Sequence, residues 1–202
     1  MRALLIVLSL LAQTATVPSL AGRLDVVVRS RGGIGAWLTL FAGGSCTQTT
    51  GAMVDGTWQL TGDQLTRSVV ATPEGTVATE SFTMAIQGNS LRLGSGTDRP
   101  AMTRVGQPTS GAPPILGLWT WAHPAGGTAF EDYLPDGRYL FRLPIKSDPC
   151  QWAVDGGALR LTTRGETRNF QWRLAGTVLT LAHDGKSDAF RREQTDLSTS
   201  QR

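Results

Sequence analysis

Between Cys150 and Leu181 the chain alternates apolar and polar residues, and glycine-bearing turns interrupt the alternation at short intervals. Phe170, Trp172 and Leu174 fall on one face of an extended strand, with Gln171 and Arg173 on the other. Leu159 and Leu161 flank Arg160 in the same way, and Leu179 and Leu181 flank Thr180. Asp155-Gly156 and Gly165 lie between these runs, where a tight hairpin needs the positive φ that glycine accepts. Spacing of this kind builds consecutive antiparallel hairpins. No stretch of helical length carries apolar residues three and four apart.

The same pattern occurs earlier in the chain. Trp58, Gly62 and Leu65 match Trp152, Gly156 and Leu159 in order, and Phe82-Thr83-Met84 matches Phe170-Gln171-Trp172. Gly88, Leu91 and Leu93 match Gly176, Leu179 and Leu181, and Met102-Thr103-Arg104 matches Phe190-Arg191-Arg192. At the front, Gly22-Arg23-Leu24 answers Gly117-Leu118-Trp119. Ordered matches at nearly constant offsets point to a duplicated segment. The copies span 22–105 and 115–193, joined by a Pro- and Gly-rich linker at 106–114 and followed by a polar tail at 194–202.

Each copy reads as about eight short strands at the spacing of all-β domains. In the second copy they are expected at 117–123, 127–134, 138–144, 150–155, 158–163, 167–174, 177–183 and 187–192. Closing a meander of hairpins removes its exposed edges. The predicted fold class is therefore all-β: two tandem small antiparallel up-and-down barrels, with Trp119, Phe130, Tyr139, Trp152, Phe170 and Trp172 as large inward residues. The rival architecture is one barrel of about ten to twelve strands built from both copies.

The second copy resembles the small lipocalin-like (calycin-type) domains of exported bacterial proteins. Gly117-Leu118-Trp119 stands for their Gly-x-Trp opening, and Phe130 with Asp136-Gly137-Arg138-Tyr139 for the following hairpin. Trp152, Leu159-Arg160-Leu161, Gly176, Leu179-Thr180-Leu181 and Phe190-Arg191-Arg192 complete the pattern. The likeness covers 115–193 and, more weakly, 22–106, where Leu24 replaces the opening Trp and Gly43-Gly44 replaces Asp-Gly. It implies a fold and carries over no functional residues. A weaker similarity is to exported inhibitors of bacterial metalloproteases, whose cysteine pair lies within one barrel, whereas Cys46 and Cys150 fall in different copies.

Arg2, the apolar run from Ala3 to Ala12 and the small-x-small Ser19-Leu20-Ala21 together read as a cleavable export signal over 1–21. The run is shorter than the roughly 18 residues of a membrane-spanning helix, and no second candidate follows. The expected location is the periplasm or the exterior. Such a compartment favours a Cys46–Cys150 disulfide, which would close a long loop and add about 4 kcal/mol through the unfolded state. The formal net charge is +3 with arginines scattered along the chain, so nucleic-acid binding is not expected.

Catalytic and metal signatures are sparse. His123 and His183 sit near the ends of different strands, and no HxH, HExxH or CxxC spacing occurs. Glu131 and Asp132 are adjacent, so a strand turns them to opposite faces. Asp184-Gly185-Lys186-Ser187-Asp188 lacks the downstream glutamate of a calcium loop and reads as a hairpin. Ser45 has no nucleophile elbow around it. No catalytic residue, metal or cofactor is expected. The reading is a non-enzymatic binding protein whose partner is another protein or a cell-envelope component. The alternatives are an inhibitor of an exported protease or lysozyme, and a carrier of a small apolar ligand. Trp119, Tyr139 and Trp152 are the candidate barrel-mouth contacts.

Overall fold

The computed structural model describes residues 20–27, 33–70, 76–94, 100–155 and 157–193. The predicted tail, and the signal segment apart from Leu20 and Ala21, lie outside these residues. Among them the chain is all-β and antiparallel, with fourteen strands. They are β1 (Gly22–Val26), β2 (Ile34–Leu40), β3 (Ser45–Thr61), β4 (Gln64–Val70), β5 (Val77–Gln87), β6 (Ser90–Leu93) and β7 (Met102–Val105). The second series is β8 (Gly117–Ala122), β9 (Thr128–Tyr133), β10 (Arg138–Asp155), β11 (Ala158–Thr163), β12 (Glu166–Ala175), β13 (Val178–His183) and β14 (Lys186–Glu193). Each strand pairs with the next, and β14 pairs with β1 to close the ring. No helix among the described residues is long and apolar enough to cross a membrane.

The expected hairpin chemistry is present. Arg164 and Asp184 are the two non-glycine residues with positive φ (54° and 50°), and each is followed by a glycine that also has positive φ. Both central positions of these two-residue turns are thus left-handed, which matches the twist of the flanking strands.

Two strands differ from the reading of the sequence. The runs expected at 138–144 and 150–155 are one strand of 18 residues, β10, and β3 is nearly as long at 17. Seven strands therefore precede the linker and seven follow it, where eight were expected in each segment. Pro144 and Pro149 break the apolar pattern without ending the strand. The ladder irregularity between Pro144 and Lys146 is a bulge that extrudes Ile145, which is 67% exposed.

The long strands also pair with each other across the ring, from Arg138 opposite Thr57 to Gln151 opposite Ser45. Close approach at this seam depends on glycine. A Cβ at Gly51 would sit 2.2 Å from the Leu143 carbonyl oxygen and 2.9 Å from the Trp37 ring. Cys46 and Cys150 are directly opposite in the seam and form a disulfide, with Cα atoms 4.8 Å apart.

Among the described residues two apolar clusters are present, and each draws on both halves of the chain. One gathers Leu24, Leu38 and Leu40 from the first repeat with Leu159, Leu161, Leu179 and Leu181 from the second, around the disulfide. Leu20, within the predicted cleavage site, is buried in this cluster. The other joins Leu65, Leu91, Leu93 and Met102 to Ile115, Trp119, Tyr133 and Tyr139. The indoles matched by the sequence repeat behave alike. Trp58 Nε1 donates to the Leu134 carbonyl at 3.0 Å, and Trp152 Nε1 donates to the Phe41 carbonyl at 2.8 Å.

Candidate functional site

The ladders align the seven strands before the linker with the seven after it. Gly22 pairs with Leu40 and Gly117 with Tyr133, so Leu40 answers Tyr133 and, two residues back, Leu38 answers Glu131. Arg67 lies opposite Trp58 and Leu161 opposite Trp152, so Leu161 answers Arg67. These positions face the interiors of their clusters, and the side chains placed there differ sharply.

In the cluster around Trp119 they form a buried polar plug. Arg67 Nη1 donates to Glu131 Oε2 at 2.7 Å and to the Tyr139 hydroxyl at 3.0 Å, and the Tyr133 hydroxyl donates to Glu131 Oε2 at 2.9 Å. The guanidinium lies 4.5 Å from the Phe82 ring centroid, and its Nη2 reaches Glu80 at 2.9 Å. Burial opposes the charge on Arg67, but the oxygens of Tyr139, Tyr133 and Glu131 outweigh it and raise its pKa. Burial, reinforced by the Glu131 carboxylate, pushes the Tyr133 hydroxyl well above its ordinary value. Arg67 is thus held charged and Tyr133 protonated, and the cluster fills this interior as a stopper.

Around the disulfide the corresponding positions are leucines, and space opens instead. A cavity of about 320 Å³ is floored by Leu38, Leu161, Phe170, Leu181 and Phe190, with Arg168, Asp148, Asp188 and Gln48 at its rim. A second recess of about 300 Å³ shares Leu161, Phe170, Arg168 and Asp148 with it and extends towards Thr163, Arg164 and Glu166. At the rim, Arg164 donates to Asp148 at 2.5 Å and Lys146 Nζ lies 3.3 Å from the same carboxylate. The Arg164 hydrogen bond, helped by Lys146, lowers the Asp148 pKa. Arg168 has only a loose contact with Glu166, at 3.8 Å. The result is a cup with leucine and phenylalanine side chains in its floor and a polar, mixed-charge lip, a form suited to a small guest with one polar end.

The candidate mouth residues are distributed differently from the cup. Trp119 is fully buried, with its Nε1 donating to the Ile115 carbonyl at 2.8 Å and Arg104 stacked 4.1 Å from its ring. Tyr139 belongs to the polar plug. Trp152 is partly buried against the disulfide cluster. Among them only Trp152 packs in the cluster that holds the cup. Leu161 and Phe170 were legible by alternation as residues on the apolar face of their strands, but nothing local marked them, or Phe190, as cavity-lining. His123 and His183 sit at strand ends: His123 Nδ1 accepts from the Ala125 amide, and His183 Nδ1 contacts the Asn169 carbonyl oxygen at 3.0 Å. Among the described residues no group of three or more His, Cys, Asp or Glu is placed to hold a metal ion.

A second charged cluster lies on the opposite faces of these strands. Asp25 Oδ2 accepts from Arg142 Nε at 3.0 Å and Nη2 at 2.6 Å, and its Oδ1 lies 3.1 Å from Arg23 Nε. Arg142 Nη1 also reaches Asp55 at 2.7 Å, Arg23 approaches Asp132 at 4.0 Å, and Arg138 donates to Glu193. Arg23, Asp25, Asp132 and Arg142 are at most 2% exposed. Burial, with Asp25 nearby, raises the Glu193 pKa despite Arg138. Burial also opposes the Arg142 charge, but Asp25 and Asp55 more than compensate and raise its pKa.

No family model, curated protein or solved structure matches this chain.

Proposed function

We propose that the protein is an exported, non-enzymatic binding protein that carries a small apolar or amphipathic ligand in the cup floored by Leu161, Phe170 and Phe190. In this reading the molecule is two eight-stranded lipocalin-like barrels of a duplicated ancestor, with strands exchanged between the copies. One barrel runs from β3 to β10. The other runs from β10 through β14 to β1, β2 and β3. The seam between the long strands serves as a common wall, which agrees with two apolar clusters each drawn from both repeats. Arg104, closing the first copy, stacks on Trp119, opening the second, and Arg192 on β14 lies opposite Leu24 on β1, which begins the first copy.

The observation that carries the function is the contrast between plug and cup. Equivalent interior positions hold Arg67, Glu131 and Tyr133 in one barrel, and Leu161, Leu38 and Leu40 beside a 320 Å³ cavity in the other. One barrel is a filled support and the other is open. Apolar volume of this size lies at the lower end of the range for small-molecule sites, about 300–1,000 Å³. The experiment is calorimetric titration with decanol, decanoate and decyltrimethylammonium. At least one should bind saturably with a Kd of about 1–100 μM, and Leu161→Trp should abolish it. Arg168→Gln should weaken decanoate selectively. No saturable heat with any of the three, or binding indifferent to Leu161→Trp, refutes the carrier reading.

A further inference from the structure

The outer faces of the strands carry a second asymmetry. Trp37 is flanked across its ladders by Asp25 and Thr49, and its counterpart Phe130 by Thr120 and Arg142. Asp25 therefore answers Thr120, and Arg142 answers Thr49. One step along, Asp132 answers Thr39. On one side of the waist, Asp25 and Arg142 reach each other and fill the space with a buried ion pair. On the other side the same positions carry threonines, whose side chains are too short to meet. A cleft of about 700 Å³ remains there, between strands β2 and β3 and strands β7, β8 and β9.

We infer that this cleft is a binding site for an uncharged saccharide. Its walls offer hydroxyls from Thr39, Thr47, Thr49, Thr120 and Ser147, with the half-buried ring of Phe130 among them. Hydroxyls both donate and accept, which suits a ligand that presents the same groups in return. An aromatic face suits the apolar C–H side of a pyranose. Acidic side chains are absent from the lining, and the guanidinium of its one basic residue, Arg104, is engaged by the carbonyls of Leu116 and Pro114. A charged ligand would find no counter-ion there. Thr49 Oγ1 and Ser147 Oγ lie 3.1 Å apart, an arrangement in which one hydroxyl orients the other towards a guest. The volume accommodates two or three sugar rings.

The cleft shares Trp37 and Thr49 with the cup and is otherwise lined by different residues, and the test separates the two. The intact protein is screened against an array of neutral oligosaccharides built from hexoses, N-acetylhexosamines and pentoses, and hits are titrated by calorimetry. At least one series should bind, with affinity rising from monosaccharide to trisaccharide. Thr128→Trp, on an exposed position at the cleft wall, should weaken binding at least tenfold. The double variant Thr49→Arg with Thr120→Asp, which copies the ion pair of the opposite side, should abolish it. Leu161→Trp should leave it unchanged. The inference is overturned if no neutral saccharide on the array binds. It is also overturned if Thr128→Trp leaves the affinity intact, or if Leu161→Trp removes saccharide binding.

Discussion

Replacing Asp25 by alanine is the sharpest perturbation this architecture offers. The Asp25 carboxylate is almost wholly buried and takes two hydrogen bonds from Arg142 while lying beside Arg23. The variant strands two guanidinium groups that are each about 1% exposed. Breaking a buried pair from one side typically costs about 3–5 kcal/mol, because the remaining charge keeps its desolvation penalty without its partner. Arg142 retains Asp55 at 2.7 Å and two backbone carbonyls, so the lower end of that range, about 3 kcal/mol, is expected. For a chain of this size, 1 kcal/mol shifts Tm by roughly 2–4 °C, giving a loss of about 6–12 °C. Urea denaturation followed by tryptophan fluorescence measures the change directly. A matched triple variant, Asp25→Leu with Arg23→Met and Asp132→Asn, removes the buried charges that would be stranded, leaves Arg142 on Asp55, and should recover most of the loss. If Asp25→Ala costs less than about 1 kcal/mol, the pair behaves as a surface salt bridge, and the buried waist network is refuted. If the triple variant is no better than the single one, stranded charge is not the cause.

Glu193 predicts a pH dependence. Because burial raises its pKa, the folded state holds the proton more tightly than the unfolded chain. Its stabilising contribution is full below the ordinary glutamate value and falls as pH rises through the raised one. Glu193→Gln should flatten the stability profile from about pH 4 upwards, and an unchanged slope in urea melts across that range would contradict this. Proteolytic nicking within 106–114 should leave the fragments associated on native size exclusion even after reduction, because β3–β10, β7–β8 and β1–β14 join the repeats. Release of two separate folded halves would exclude strand exchange. Gly51→Ala should destabilise by about 1–3 kcal/mol, since the new methyl meets backbone that has to shift; a neutral result in thermal melts would mean the seam is looser than described.

What the sequence determined is local. A strand is a period-two pattern and a hairpin is two or three residues of turn chemistry. Phe170-Gln171-Trp172 and Asp184-Gly185 were therefore enough to read an all-β meander and its turns. Phe130, however, expected inward, belongs to neither apolar cluster and lines the outer cleft, because its strand neighbours Glu131 and Tyr133 take the inward face. The disulfide followed from compartment and cysteine count. The seam could not be read, because Pro144 and Pro149 break the alternation while a bulge lets the backbone run on. Arg23 and Asp25 look like one solvated face of a strand, since alternation says which side a residue points to and not what covers that side. Only the tertiary structure places Arg142, 117 residues away, against Asp25 and turns an apparent surface charge into a buried one. The same holds for the plug and the cup. A leucine and an arginine at matching inward positions are both ordinary strand residues in sequence. The volume they leave or fill is set by every wall of the enclosure at once, and those walls come from both halves of the chain.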